Sequence, residues 1–466
     1  MKLLQKAGLV GLGLFAGVGI SLQFSAMADK EPLATPLPVE ELRAFSEVFG
    51  RIKSDYVEPV TDKKLITDAI AGMLNGLDPH SAYLDADAFK ELQVGTHGEF
   101  GGLGIEVGME DGVVKVISPI EDSPAYQAGI KPGDFIIKID DTLIKGMSLN
   151  DAVKRMRGKP GSKIVLTIIR KNEPKPFEVT LVRAVIKVQS VKFKMLEPGY
   201  GFVRITQFQE MTGENLATAL EKLVKENKGP LKGLVLDLRN DPGGLLTGAV
   251  AVSSAFLPHG ALVVYTEGRT EDAKMRLTAS PENYLRSSSE KDYLKKVPDS
   301  IKSVPLIVLV NAGTASASEI VAGALQDHKR AVIMGEQTFG KGSVQTVLPL
   351  GNGTGIKLTT ARYYTPGGRS IQAKGIEPDI LVEDPSSAGR DSGLLRLREV
   401  DLNKHLTNDR PSRKKNPEVI DESAPPVPGA GEDGSQRAPA EFGSRDDYQL
   451  NQALNLLKGM QILQGK

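Results

Sequence analysis

Apolar positions change their spacing three times along the chain. Leu42, Phe45, Phe49, Ile52 and Tyr56 recur every three or four residues, the stripe of an amphipathic helix. A second helix is predicted after Thr61, a candidate N-cap, from Leu65, Ile66, Ile70, Met73, Leu74 and Leu77, with Asn75-Gly76 near its end. Two helices bury little area alone, so this helical segment, 29–97, needs a partner in the later domains or in another copy of the chain.

From residue 98 to 186 the spacing shortens to β-runs at 113–117, 135–139, 164–170 and 177–183, separated by turn residues. Two short helices interrupt them. One spans 124–128 and stops at Gly129; the other starts at Ser148, a plausible N-cap, and carries Leu149, Val153 and Met156 on one face.

Beyond Tyr200 the runs 234–238 and 306–310 are almost wholly apolar, as strands buried on both faces are, and helix-compatible segments follow each. A third apolar strand is predicted at 331–334, and the α/β region extends over 187–385. Residues 386–446 cluster Ser, Pro, Gly, Asp and Glu and read as a flexible tether. After it, Leu450, Ala453, Leu454, Leu457 and Met460 form a helical stripe within 447–466, which predicts docking on another subunit or on the body of the chain.

The 466 residues correspond to about three folded units, with 40% hydrophobic and 25% charged residues, so a disordered chain and a polytopic membrane protein are both excluded. Lys+Arg 58 against Asp+Glu 58 removes the charge footprint of a dedicated nucleic-acid binder. The absence of Cys excludes disulfides and thiolate chemistry, and with five scattered His the sequence calls for no metal and no cofactor. Lys2 and Lys6 precede an uncharged stretch at 7–24 that ends in Ser25-Ala26-Met27-Ala28, the pattern of a signal peptide cleaved near Ala28. A retained membrane anchor is the alternative. Either way the expected compartment is outside the cytoplasm, a bacterial periplasm.

Three motifs carry candidate chemistry, each after an apolar run. In Asp237-Leu238-Arg239-Asn240-Asp241-Pro242-Gly243-Gly244, paired glycines ahead of a helix expose backbone N–H groups at its positive end, suited to a developing oxyanion or to a plain tight turn. In Asn311-Ala312-Gly313-Thr314-Ala315-Ser316-Ala317-Ser318-Glu319-Ile320, small residues leave a serine uncrowded where a strand meets a helix, although such a serine is usually only an N-cap. The third, Gly335-Glu336-Gln337-Thr338-Phe339-Gly340-Lys341-Gly342-Ser343, satisfies the G-x-x-x-x-G-K-[ST] spacing of a phosphate loop. A phosphate loop needs a helix at Lys341, whereas 343–348 alternate and are β-prone, so nucleotide binding is disfavoured.

Gly102-Leu103-Gly104-Ile105, Ser123-Pro124-Ala125, Ala128-Gly129 and Lys131-Pro132-Gly133-Asp134 together resemble a PDZ domain over 98–186. The resemblance implies that the Gly102–Ile105 turn receives a terminal carboxylate, that the following strand accepts an extended peptide, and that Val153 and Met156 line the apolar side of the groove. The motifs LDLRNDPGG, TASASEI, GEQTFGKGSVQ and YYTPGGRSIQAKGIEPD resemble the tail-specific, or carboxy-terminal processing, serine proteases over about 40–385. That resemblance implies a multidomain α/β chain: a PDZ-like domain, a crotonase/ClpP-like α/β protease core, and helical N- and C-terminal segments.

By the same resemblance Ser316 is the nucleophile, Lys341 the general base, and Gln345 the side chain that holds Lys341. The oxyanion donors are expected among the N–H groups of Gly243, Gly244 and Ala317. An exposed lysine, with pKa ~10.4, is ammonium at neutral pH, so the fold has to desolvate this one. Chemistry alone does not exclude Ser318. Asp327 is read as structural, a triad through His328 is disfavoured by its register with Ser316, and Lys374 is a second candidate base only in principle. The implied partners are unfolded proteins presented by their C-terminal ends, an activating adaptor and a homo-oligomer; the competing functions are a non-catalytic PDZ scaffold and an acyl-CoA enzyme of crotonase type, against which export and Lys341 both argue.

Overall fold

The computed structural model describes residues 38–464 apart from 111, 121–122, 145, 172, 188, 288, 384, 386–397 and 410–441. The expected signal peptide lies outside the described residues, as does most of the expected tether. The chain divides into two units, one ending at Ile70 and the other beginning at Ala71.

Helix α1 (Val39–Asp55) opens the first unit with its predicted stripe in place, yet it buries none of its residues. Thr61 caps helix α2 (Asp62–Asn75) by accepting from the Lys64 N–H at 3.3 Å. Among the described residues, no helix is long and apolar enough to cross a membrane.

In the second unit, strand β1 (Ala82–Leu84) and helix α3 (Ala86–His97) lead into β2 (Glu99–Gly102). The 98–186 region then forms a six-stranded antiparallel sheet from β3 (Ile105–Glu110), β4 (Val113–Pro119), β5 (Phe135–Ile139), β6 (Thr142–Leu143), β7 (Lys163–Ile169) and β8 (Phe177–Val182). Helices α4 (Pro124–Gln127) and α5 (Leu149–Met156) begin at Ser123 and Ser148, whose side chains cap them. Val116, Ile136, Leu166 and Ile168 alternate inward to form a separate core. The exit strand β9 (Ala184–Lys187) pairs antiparallel with β2, so the chain enters and leaves this domain side by side. The domain is thereby an insertion carried by the rest of the unit.

Strands β10 (Val191–Glu197), β11 (Tyr200–Ile205), β12 (Gly233–Asp237), β15 (Leu306–Val310), β16 (Val332–Gly335) and β19 (Ile380–Leu381) form the second sheet in that spatial order, parallel from β11 onward. Its unbroken apolar runs have a simple cause. Leu234, Leu236 and Val308 face helices α6 (Thr212–Glu226), α7 (Leu246–Phe256) and α8 (Ala317–Asp327), while Val235, Ile307 and Leu309 face the C-terminal helix α9 (Tyr448–Gln464). The terminal stripe therefore docks on its own chain, through Leu450, Ala453, Leu454 and Leu457. Arg239 fixes the start of that helix: buried at the end of β12, it bonds Asp237, Asp447 and Gln449. A third sheet runs β1, β18 (Gly355–Tyr364), β13 (Leu262–Gly268), β14 (Arg276–Thr278), with β17 (Ser343–Pro349) on β18.

Two described stretches depart from the flexible tether expected at 386–446: residues 442–446, where Phe442 packs against Phe202, and a longer one before them. Residues 398–409 pack on the second unit, with Glu399 fully buried and Asn408 donating to the Ser370 and Gln372 carbonyls. Composition missed this because a few long-range polar contacts, rather than apolar area, hold the segment. Leu457 is fully buried between α9 and the sheet, so Leu457→Ala should destabilise the chain by about 2–4 kcal/mol, read as a lower urea midpoint with unchanged slope.

Candidate functional site

The three motifs follow adjacent parallel strands. Gly243 and Gly244 come after β12, Ser316 after β15 and Lys341 after β16. The strand order thus gathers them along one carboxyl-terminal sheet edge, where α/β folds put their clefts.

Ser316 stands immediately ahead of α8 with φ 57° and ψ −114°, a backbone conformation costly for a residue with a Cβ. What holds it there is Glu319, one turn into the helix and fully buried. Glu319 Oε2 accepts from the N–H of Ser316 at 2.8 Å and of Lys341 at 3.0 Å; Oε1 accepts from the Gly340 N–H at 2.7 Å and from the Thr338 hydroxyl at 2.5 Å. Burial pushes the Glu319 carboxyl up to about 7 against these four donors. One side chain therefore ties the serine turn to the lysine turn. Sequence reasoning quoted this glutamate but gave it no role, although Ser-x-x-Glu is the spacing of a capping box.

The Lys341 backbone is fully engaged. Its carbonyl accepts from the Tyr363 hydroxyl, Gly342 N–H donates to Gln372 Oε1 at 3.0 Å, and the Gly340 carbonyl accepts from Ala373 N–H at 2.8 Å. The amine is pulled down to about 8, chiefly by burial and secondly by Lys357, against Glu399, Glu319 and Asp78, which favour the ammonium. Tyr363 also reaches the Ser316 side chain, and burial holds its phenol well above its ordinary range. β17 follows Lys341 in place of the helix that a phosphate loop requires.

Two expected contacts are absent. No hydrogen bond joins Ser316 Oγ to Lys341 Nζ, and the Gln345 amide donates to Ser343 Oγ at 3.0 Å and Thr359 Oγ1 at 3.2 Å rather than meeting Lys341. Of the three expected oxyanion donors, the Gly243 N–H is occupied by Asp241 Oδ1 at 2.9 Å. The Gly244 and Ala317 N–H groups donate to no described group. A Cβ on Gly243 would lie 2.8 Å from both Ala317 N and Ser316 Cβ, so the close approach of this turn to the serine requires glycine.

The alternatives separate cleanly. Ser318 is fully buried and donates to the Asp241 carbonyl at 3.1 Å. Asp327 lies at the far end of α8, on the Gly367 N–H and Arg369, and His328 bonds the Leu262 carbonyl there. Eleven residues of helix put both about 16 Å from Ser316 along its axis. The Lys374 carbonyl accepts from Gln337 and Arg398.

In the inserted domain, β3 is a sheet edge, and the N–H groups of Leu103 and Gly104 just before it donate to no described group. Leu103 and Met156 are buried in the domain core with Val153 packed against it, and Gly102 closes β2 while Ile105 opens β3. An unpaired edge beside a turn with open N–H groups fits an extended peptide that ends there.

Known proteins include relatives of nearly the whole chain. Residues 199–382 match the model of peptidase family S41, residues 101–181 that of the PDZ domain, and residues 20–88 that of the activating protease CtpB N-terminal domain. The chain is 46% identical over 423 residues to a carboxy-terminal-processing protease of Bartonella bacilliformis, covering 90% of this chain and 89% of that one. It is 37% identical over 344 residues to the carboxy-terminal processing protease CtpA of Bacillus subtilis, 74% and 69% of the two chains. Among solved structures, a photosystem II D1 C-terminal processing protease is 32% identical with TM-score 0.41, over 73% of this chain and 86% of that one.

Glu319→Ala would leave four donors without their acceptor at once, two of them buried, so we expect a loss of about 3 kcal/mol, seen as a melting temperature lower by roughly 6–12 °C. An unchanged melting temperature would mean that the carboxylate does not hold the two turns together.

Proposed function

The chain belongs to peptidase family S41, among the carboxy-terminal processing proteases with a PDZ domain, and from that premise we propose that it is an exported serine endopeptidase working through Ser316 and Lys341. The observation that carries this reading is Glu319, whose one carboxylate binds the backbone N–H of both residues. Such a link fixes their relative backbone position, as a nucleophile and its base require.

In the proposed step, Lys341 Nζ takes the proton of Ser316 Oγ as that oxygen forms a bond to the scissile carbonyl carbon. The carbonyl oxygen becomes an oxyanion, stabilised by the open N–H groups of Gly244 and Ala317, with Gly243 joining if it leaves Asp241. Collapse breaks the C–N bond, and Lys341 returns the proton to the leaving amine. Water then hydrolyses the acyl-enzyme by the same route. Rotation of the lysine side chain brings Nζ to Ser316, and Gln345 Oε1 is available to receive one of its N–H groups. Apo sites often tighten in this way when substrate binds.

Substrates are unfolded proteins captured by their C-terminal ends, with the terminal carboxylate at Leu103 and Gly104 and the segment before it along β3, beside Val153 and Met156. The leader-like sequence at 1–28 supports export to a bacterial periplasm, and the bare apolar stripe of α1 supports a homo-oligomer. The match at 20–88 supports regulation by an activating adaptor.

With an unfolded protein such as β-casein as substrate, Ser316→Ala and Lys341→Ala should each lower turnover by a factor on the order of 10⁴, while Ser318→Ala stays active. Full turnover in Lys341→Ala would remove the base. Because the ammonium cannot accept a proton, kcat/KM should climb with pH through about 8 and level off above it. A profile flat from pH 5 to 10 would contradict a lysine base.

A further inference from the structure

The base turn is closed by two residues of the second unit that lie far apart in sequence. Glu399 enters from the C-terminal side: its N–H donates to the Phe339 carbonyl at 3.1 Å, two residues before Lys341. Its side chain is fully buried. Oε1 accepts from Gln372 Nε2 at 2.8 Å, and Oε2 lies 2.8 Å from His80 Nε2. Gln372, itself fully buried, passes the contact on through Oε1 to the Gly342 N–H at 3.0 Å. Glu399 thus grips the peptide on each side of Lys341, directly at 339 and through one amide at 342.

His80 arrives from the other direction and is oriented in turn. Its backbone N–H donates to Asp78 Oδ1 at 2.8 Å, Asp78 Oδ2 accepts from the Ser81 hydroxyl at 2.7 Å, and Thr359 Oγ1 donates to Asp78 Oδ1 at 3.1 Å. The same Thr359 hydroxyl receives the Gln345 amide. The charged and titratable groups acting on the amine are therefore Glu319 on α8, Lys357 on β18, Asp78 before β1, and Glu399. Tyr363 touches the Lys341 carbonyl, and His80 touches Glu399.

A fully buried carboxylate is expensive unless it is paired, and this one is paired with His80 and Gln372 beside the lysine turn. We propose that Glu399, held by His80 and Gln372, is a positioning residue for Lys341, fixing the base turn and supplying a negative charge to the amine. This rests on Lys341 being the base. It makes the protease dependent on residues 398–409, which compositional reasoning assigns to a tether.

The two contributions separate in a pH–rate profile. Glu399→Gln keeps the size and removes the charge, so the limiting rate at high pH should fall at least about tenfold, and the midpoint should move to lower pH by on the order of one unit. Glu399→Asp, which keeps the charge on a shorter arm, should retain the wild-type midpoint at a reduced rate. His80→Ala loosens the clasp and should lower the rate without an acid shift. The full chain is assayed on β-casein, with thermal melts to confirm folding. If Glu399→Gln melts within a few degrees of wild type and its profile superimposes on it in both rate and midpoint, the proposal falls. A loss of rate with the midpoint unmoved in both Glu399 variants would reduce Glu399 to a structural residue and overturn it likewise. Should Glu399→Gln fail to fold, Gln372→Leu replaces it, and a wild-type rate there would break the relay to Gly342. Lys341→Ala in the same series keeps the two ideas apart: turnover in that variant overturns the base itself, whatever Glu399 does.

Discussion

A buried carboxylate between two turns is the constraint on which the site depends. Glu319 has no solvent, so its oxygens take four donors from the protein, and those donors lie on two segments separated by a whole α/β crossover. Satisfying it fixes the serine turn against the lysine turn. The strained backbone at Ser316 follows, because the bond from its own N–H holds φ in the positive region where a residue with a Cβ would not otherwise rest. Strain at that position and burial at that glutamate are two sides of one arrangement.

Much of this was legible in the chain before any coordinates. The apolar runs at 234–238 and 306–310 are strands buried on both faces, and the stripe from Leu450 to Leu457 covers the second face that the first three core helices leave open. Periodicity also located the capped helices of the inserted domain at Ser123 and Ser148. What it could not supply is pairing over long separations. His80 and Glu399 meet although 319 residues separate them in sequence, and neither sits in a periodic run. Helix α3 was missed because Ala86–His97 has few large apolar residues and buries none of them fully. Glu319 was a missed inference of another kind. Its spacing to Ser316 is a local signal, but its bonds to Thr338, Gly340 and Lys341 exist only once β15 and β16 lie side by side.

Gln345 illustrates the limit of carrying a role over from motif spacing alone. The residue is where the motif puts it, on β17, but its amide nitrogen is committed to Ser343 and Thr359. Only the carbonyl oxygen remains, and an oxygen is the end that an ammonium or amine N–H can use. Fixing the nitrogen end makes the orientation of the oxygen a property of β17 and β18 rather than of the lysine.

A buried lysine places opposing demands on its surroundings. Burial lowers its affinity for a proton, yet a buried amine that is sometimes charged needs carboxylates nearby, and each of those raises the affinity again. Here Glu399, Glu319 and Asp78 pull upward, burial and Lys357 pull downward, and burial is the largest of these influences. The glycines around Lys341 follow from that balance. A Cβ on Gly342 would come within 2.4 Å of Gln372 N, so any other residue there would push the 372–375 segment away and let water reach the amine. The flanking glycine is thus the sequence's means of burying a lysine deeply enough to outweigh three acids, without moving the acids that hold the turns in place.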